Sequence, residues 1–230
     1  MTGIYLITGF LGAGKTTFLK KFVKSQSAYK MRIIVNEFGK EGVDGKLLSE
    51  LPIVVDEINN GSIFCSCRLE QFEAVLETAL LDKPELIIIE ASGLSDPTNI
   101  RKILSGQDKF KQATLLGSIC IVDAINFKKV ISTARVCKKQ LSVSDLVIIN
   151  KADIATQEDI ALTQKLIAEL YPQMITHLTS FGEIKPEWLE ELNNEKFDNP
   201  PLLQTKDLGL QKALIHISDR MGLFRLKKFL

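Results

Sequence analysis

Residues 4–25 read IYLITGFLGAGKTTFLKKFVKS. An apolar run from Ile4 to Ile7 enters a glycine-rich turn, and out of that turn comes a segment whose Phe18, Leu19, Phe22 and Val23 recur at helical spacing. Gly9 to Thr16 satisfies Gly-x4-Gly-Lys-Ser/Thr in the strand, turn, helix context that gives the motif its meaning. In such a turn the backbone N–H groups wrap phosphate oxygens and the helix amino terminus adds partial positive charge. Lys15 then reaches the β- and γ-phosphates and the Thr16 hydroxyl binds Mg2+. Gly9, Gly12, Ala13, Gly14, Lys15, Thr16 and Thr17 are therefore the nucleotide-binding candidates, with Lys15 also a catalytic one. The competing reading is a glycine-rich turn that holds no nucleotide.

The same alternation continues outward from this stretch. MRIIVNEF (31–38), PIVVDEI (52–58), ELIIIEASG (85–93), SICIVDAINF (118–127) and LVIINKAD (146–153) read as buried strands. Between them, residues 68–82, 96–106, 127–142 and 156–171 carry apolar residues at helical spacing, and Val130, Ala134, Cys137 and Leu141 predict one buried helical stripe. This pattern predicts an α/β fold, a three-layer P-loop NTPase whose mostly parallel sheet is covered by helices on both faces. Ligands of such sheets bind beyond the carboxyl ends of the strands. Residues 1–193 read as this domain, and residues 194–212, with Pro200-Pro201, read as a linker. Residues 213–230 offer one strand-like piece, ALIHIS, and one helical piece, GLFRLKKFL, the start of a further unit that looks truncated.

Composition excludes several functions. Of the 230 residues, 45% are hydrophobic and 25% charged, and 29 basic residues balance 28 acidic ones, so the charge favours neither nucleic acid nor an anionic membrane as partner. The lysine doublets, Lys138-Lys139 among them, read as solvated helix faces. No apolar run nears the ~20 residues needed to span a bilayer, and no secretory signal opens the chain, so a cytoplasmic protein is expected.

Further motifs sit where strands end. In NKAD (150–153) the Asp153 carboxylate can accept hydrogen bonds from guanine N1 and N2, for which adenine has no matching donors, while Asn150 and Lys151 hold the loop and the ring face. This selects GTP over ATP and disfavours a P-loop kinase. TSFG (179–182) is a candidate for completing the guanine pocket. Glu37 in NEFG and Glu90 in EASGLSDP are strand-end carboxylates suited to Mg2+ or its water, and Gly93 lets a backbone N–H approach the γ-phosphate. Either glutamate could instead cap a helix or pair with a lysine.

Four cysteines in a chain of this length do not make a disulfide framework. Cys120 and Cys137 fall at core positions, whereas Cys65 and Cys67 lie in the small, polar stretch NGSIFCSCR (60–68). In an extended segment residues i and i+2 share a face, so the two sulfurs can reach the ~4 Å separation of a tetrahedral site. Two thiolates favour Zn2+ or another transition metal, with Glu37 as a candidate third ligand and water or a second subunit of a homodimer as a fourth. An unligated thiol pair is the alternative. His177 and His216 belong to other segments and are not expected to be ligands.

In this order GFLGAGKTT, NEFG, the glycine-then-cysteine segment, EASGLSDP and NKAD resemble the CobW-type GTPases, relatives of HypB and UreG, over residues 1–185. The resemblance implies slow GTP hydrolysis, dependence on Mg2+, and a role as metallochaperone or in metal-cofactor assembly for a client metalloenzyme. It also implies that the tail opens a small C-terminal domain. The family's Cys-x-Cys-Cys aligns with Ser62, Phe64 and Cys65, so only Cys65 is in register and Cys67 is displaced. The alternative function is a nucleotide-gated chaperone of a metal- or corrinoid-dependent enzyme that binds no metal itself.

Overall fold

The computed structural model describes residues 1–37, 53–59, 69–106 and 108–194. The cysteine pair, Arg68, the remainder of the expected linker and the strand and helix expected at 213–230 lie outside the described residues, as does the Glu37 side chain.

Strands β1 (Thr2–Thr8), β2 (Met31–Glu37), β3 (Val54–Asn59), β4 (Leu86–Glu90), β5 (Ala113–Asp123), β6 (Leu146–Asn150) and β7 (Ile175–Leu178) form one sheet of order β3-β2-β4-β1-β5-β6-β7. Every adjacent pair is parallel. The helices are α1 (Lys15–Ser25), α2 (Leu69–Leu81), α3 (Ile100–Gly106), α4 (Phe127–Thr133), α5 (Arg135–Ser142), α6 (Gln157–Leu170) and α7 (Pro186–Asn194). Burial on both faces explains the unbroken apolar strands: β1, β4 and β6 are buried along their whole length. Tyr5 and Ile7 pack with Phe18 and Phe22 of α1 and Trp188 of α7, while Ile4 and Leu6 pack with Phe72 and Leu76 of α2 and Ile103 of α3. The expected three-layer α/β architecture is thus the observed one.

The helix expected over 127–142 is two helices. Ala134 is extended (φ −102°, ψ 101°) and joins α4 to α5. The β-branched run before it weakens the helix, and the Ser132 and Thr133 hydroxyls both donate to Lys129 O, competing with the backbone ladder. The bend lets Cys137 and Leu141 enter the core beside β5 and β6 and brings Gln140 to the loop after β4. The Lys138-Lys139 doublet is not wholly a solvated face, because Lys139 pairs with Asp96 at 2.6 Å. Cys120 and Cys137 are core residues as expected; burial raises both thiols, Cys137 to about 12.

Strand order places Gly9, Glu37, Glu90, Asp123 and Asn150 at the carboxyl edge of neighbouring strands, with the crossovers diverging from β1. That divergence is where such sheets open a binding crevice.

Candidate nucleotide site

The turn between β1 and α1 has the geometry of an anion cradle. Gly9 (φ 139°) and Gly14 (φ 96°) occupy conformations that side chains resist. A Cβ at Gly9 would lie 2.2 Å from Ile121 O, and one at Gly14 2.4 Å from Asn150 Nδ2. Helix α1 starts without a side-chain cap and without an acidic residue in its first turn. Its first N–H groups and the positive end of its dipole therefore meet no carboxylate of the helix itself, the arrangement that suits a phosphate. Lys15 Nζ donates to Phe10 O at 3.4 Å, folded over the same turn.

Glu90 is buried at the end of β4, in register with Ile7 of β1 and Val35 of β2, one strand from the cradle. Glu37 ends β2 in register with Asn59 of β3. Gly93 follows in a loop pressed on the glycine-rich turn: a Cβ there would meet Leu11 N at 2.7 Å. The loop is held from both sides. Ser95 Oγ donates to Asn36 Oδ1 at 2.9 Å, Asn36 Nδ2 donates to Ile58 O at 3.1 Å, and Gln140 Nε2 donates to the carbonyls of Gly93 and Ser95.

On the other flank Asn150 acts as a clamp. Its Nδ2 donates to Ala13 O and its Oδ1 accepts from Gly182 N, each at 3.0 Å. One buried amide thus joins the phosphate turn, the 150–153 loop and the 179–182 loop. Ala152 N donating to Thr179 O at 3.1 Å adds a second stitch between the last two. Lys151 does not reach out as a free stem; its Nζ binds Asp123 Oδ2 at 2.7 Å. Burial alone would raise the Asp123 carboxyl, but hydrogen bonds from Lys151, Asn126 and the N–H groups of Ile125 and Asn126 outweigh it and hold the pKa below the ordinary value. Lys151 (φ 67°) and Phe181 (φ 54°) adopt left-handed backbone, which non-glycine residues avoid unless their surroundings enforce it. Asp153, in the same loop, is exposed.

Sequence reasoning missed Asp123, Asn36 and Gln140. Asp123 ends a buried strand, the same signal that singled out Glu37 and Glu90. Asn36 and Gln140 carry no such local signal. Beside the turn, Phe10, Leu11, Ala13, Asp123, Val130 and Lys151 are among the residues that line a cavity of about 370 Å³. His177 stacks on Trp188 with ring centroids 4.5 Å apart and bonds Glu191 at 2.8 Å, a packing role rather than a ligand's. Among the described residues, no three His, Cys, Asp or Glu side chains form a group that could hold a metal, and no helix is long and apolar enough to cross a membrane.

The glycine-rich turn, the strand-end acids and the 150–153 loop lie within residues 3–177, which match the model of the CobW/HypB/UreG nucleotide-binding domain. The chain belongs to this family. It is 33% identical over 162 residues to the zinc chaperone YjiA of Escherichia coli strain K12, covering 68% of this chain and 51% of the relative. It is 34% identical over 161 residues to the zinc chaperone YeiR of the same strain, covering 69% and 49%. The chain therefore spans about half the length of these curated relatives. Among solved structures, the Zn(II)-bound YjiA GTPase from E. coli superposes with a TM-score of 0.62 at 20% identity, over 99% of this chain and 69% of that one, a likeness of fold.

Proposed function

We propose that this CobW-family chain is a GTP-hydrolysing switch that acts as a metallochaperone, with zinc as its cargo. The observation that carries the reading is the Asn150 clamp, because it ties the glycine-rich turn to the 150–153 and 179–182 loops. Backbone N–H groups of Gly12 to Thr16 hold the phosphates, Lys15 swings from Phe10 O to the β- and γ-phosphates, and Asp153 selects guanine. Thr16, Glu90 and Glu37 would supply the hard oxygen donors that suit Mg2+. A Mg2+ ion held by these residues would supply neutralisation of the charge that develops on the phosphates. Gly93 offers its N–H to the γ-phosphate. Among the described residues this reading assigns no arginine to the transition state, and the unassisted pace it expects is about 10⁻⁴ to 10⁻³ per second.

Relatives named as zinc chaperones support zinc over other ions, and Cys65 and Cys67 are its proposed ligands in this chain. Glu37 and the Ser95–Asn36 bond lie at the end of the strand that neighbours β3, after which the cysteines follow. The nucleotide state of the 91–97 loop would reach them through that contact, releasing or docking zinc for a client metalloenzyme. Residues 1–193 form the switch domain of this reading. Hydrolysis of GTP and ATP by wild type and Asp153→Asn tests the nucleotide half. GTP should be preferred, and the preference should vanish in the variant. Equal use of both nucleotides by wild type would overturn it.

A further inference from the structure

Gln140 is wholly buried in α5, an unusual place for a polar amide. Its Oε1 is buried without a hydrogen-bond partner, a loss comparable to a broken hydrogen bond, which an apolar side chain of similar volume would avoid. What the amide does make is specific. Nε2 donates to Gly93 O at 3.3 Å and to Ser95 O at 3.2 Å, fixing two peptide planes of the loop that follows Glu90. The next residue back, Lys139, reaches Asp96 Oδ2 at 2.6 Å. Asp96 in turn accepts from the Thr98 N–H and hydroxyl, so the loop's far end is fastened as well. Ala134 makes this possible, because the helix break there turns α5 so that Lys139 and Gln140 meet the loop.

We propose that Gln140, assisted by Lys139, is a positioning residue for GTP hydrolysis. By holding the carbonyls of Gly93 and Ser95, it keeps Gly93 seated against Leu11 of the phosphate turn with its N–H available to the γ-phosphate. The proposal rests on the reading of Gly93 given above. Since GDP has no γ-phosphate, the contribution of Gln140 belongs to kcat for GTP and is absent from GDP affinity. A misplaced contact of about 1 Å can cost up to about a hundredfold in rate, so loss of this anchor should lower kcat by about ten- to a hundredfold.

Single-turnover hydrolysis of GTP and equilibrium binding of GDP should be measured for the full chain carrying Gln140→Met, Gln140→Glu, Lys139→Ala or Gly93→Ala. Met keeps the volume without the donors, and Glu keeps the shape but, protonated in this buried site, has one O–H for two carbonyls. Both should hydrolyse GTP slowly while binding GDP like wild type, and Lys139→Ala should slow hydrolysis by a smaller factor. Because Lys139 is partly exposed, its variant keeps the test open if the core variants fail to fold. Equal loss of GDP binding and hydrolysis would reduce Gln140 to a structural residue and overturn the proposal. Wild-type rates in the Gln140 and Lys139 variants, with Gly93→Ala impaired, would overturn it alone. A wild-type rate in Gly93→Ala would overturn it together with the reading of Gly93.

Discussion

Asn150→Ala removes two hydrogen bonds at once and leaves Ala13 O and Gly182 N–H without the partner that joined them. Asn150 is only 3% exposed, so water cannot readily substitute. Each bond is worth about 1 kcal/mol net, and stranding buried groups adds to that, which gives a destabilisation of about 2–4 kcal/mol. For a domain of this size each kcal/mol lowers Tm by about 2–4 °C, so the expected drop is about 5–15 °C. The phosphate turn and the base loops would also lose their common anchor, so affinity for GTP and GDP should fall together, with guanine preference kept because Asp153 is untouched. Thermal unfolding with and without GDP, followed by calorimetric titration of both nucleotides, measures each part. A Tm within about 1 °C of wild type, together with unchanged GDP affinity, would refute the clamp and the energetic reasoning behind it.

Other perturbations address single elements of the site. Gly14→Ala forces a side chain into left-handed backbone and onto Asn150, so nucleotide binding should be lost in a filter-binding assay even where the protein still folds. Asp123→Asn should lower the denaturant midpoint at neutral pH. The native Asp123 pKa lies below its unfolded value, so its contribution is complete above the ordinary value of about 3.9 and is lost as pH falls through the lowered pKa. The gap between wild type and variant should therefore close in acid. Cys120 and Cys137, buried and with raised pKa values, should resist thiol reagents at pH 8 in the native protein and react once it is unfolded in urea.

The fold and the glycine-rich turn were legible because their signals are local: unbroken apolar strands, Gly-x4-Gly-Lys-Thr, and polar residues where strands stop. What the sequence hid depends on residues far apart in the chain. Asn150 and Ala13 are separated by 137 positions and Gln140 and Gly93 by 47, and no periodicity joins them. The break at Ala134 was hidden for another reason, since Cys137 and Leu141 keep their buried spacing although the helix does not continue through it. Lys139 read as solvated because a lysine doublet looks alike whether or not a carboxylate from another loop lies opposite.

The central claim is that nucleotide state governs metal binding by this chain. Zinc titration of wild type and Cys65→Ser/Cys67→Ser, each with GDP and with a non-hydrolysable GTP analogue, tests it most directly. Zinc affinity in wild type should differ between the two nucleotides, and in the double variant it should be weak and independent of nucleotide. One zinc affinity shared by all four samples would contradict it.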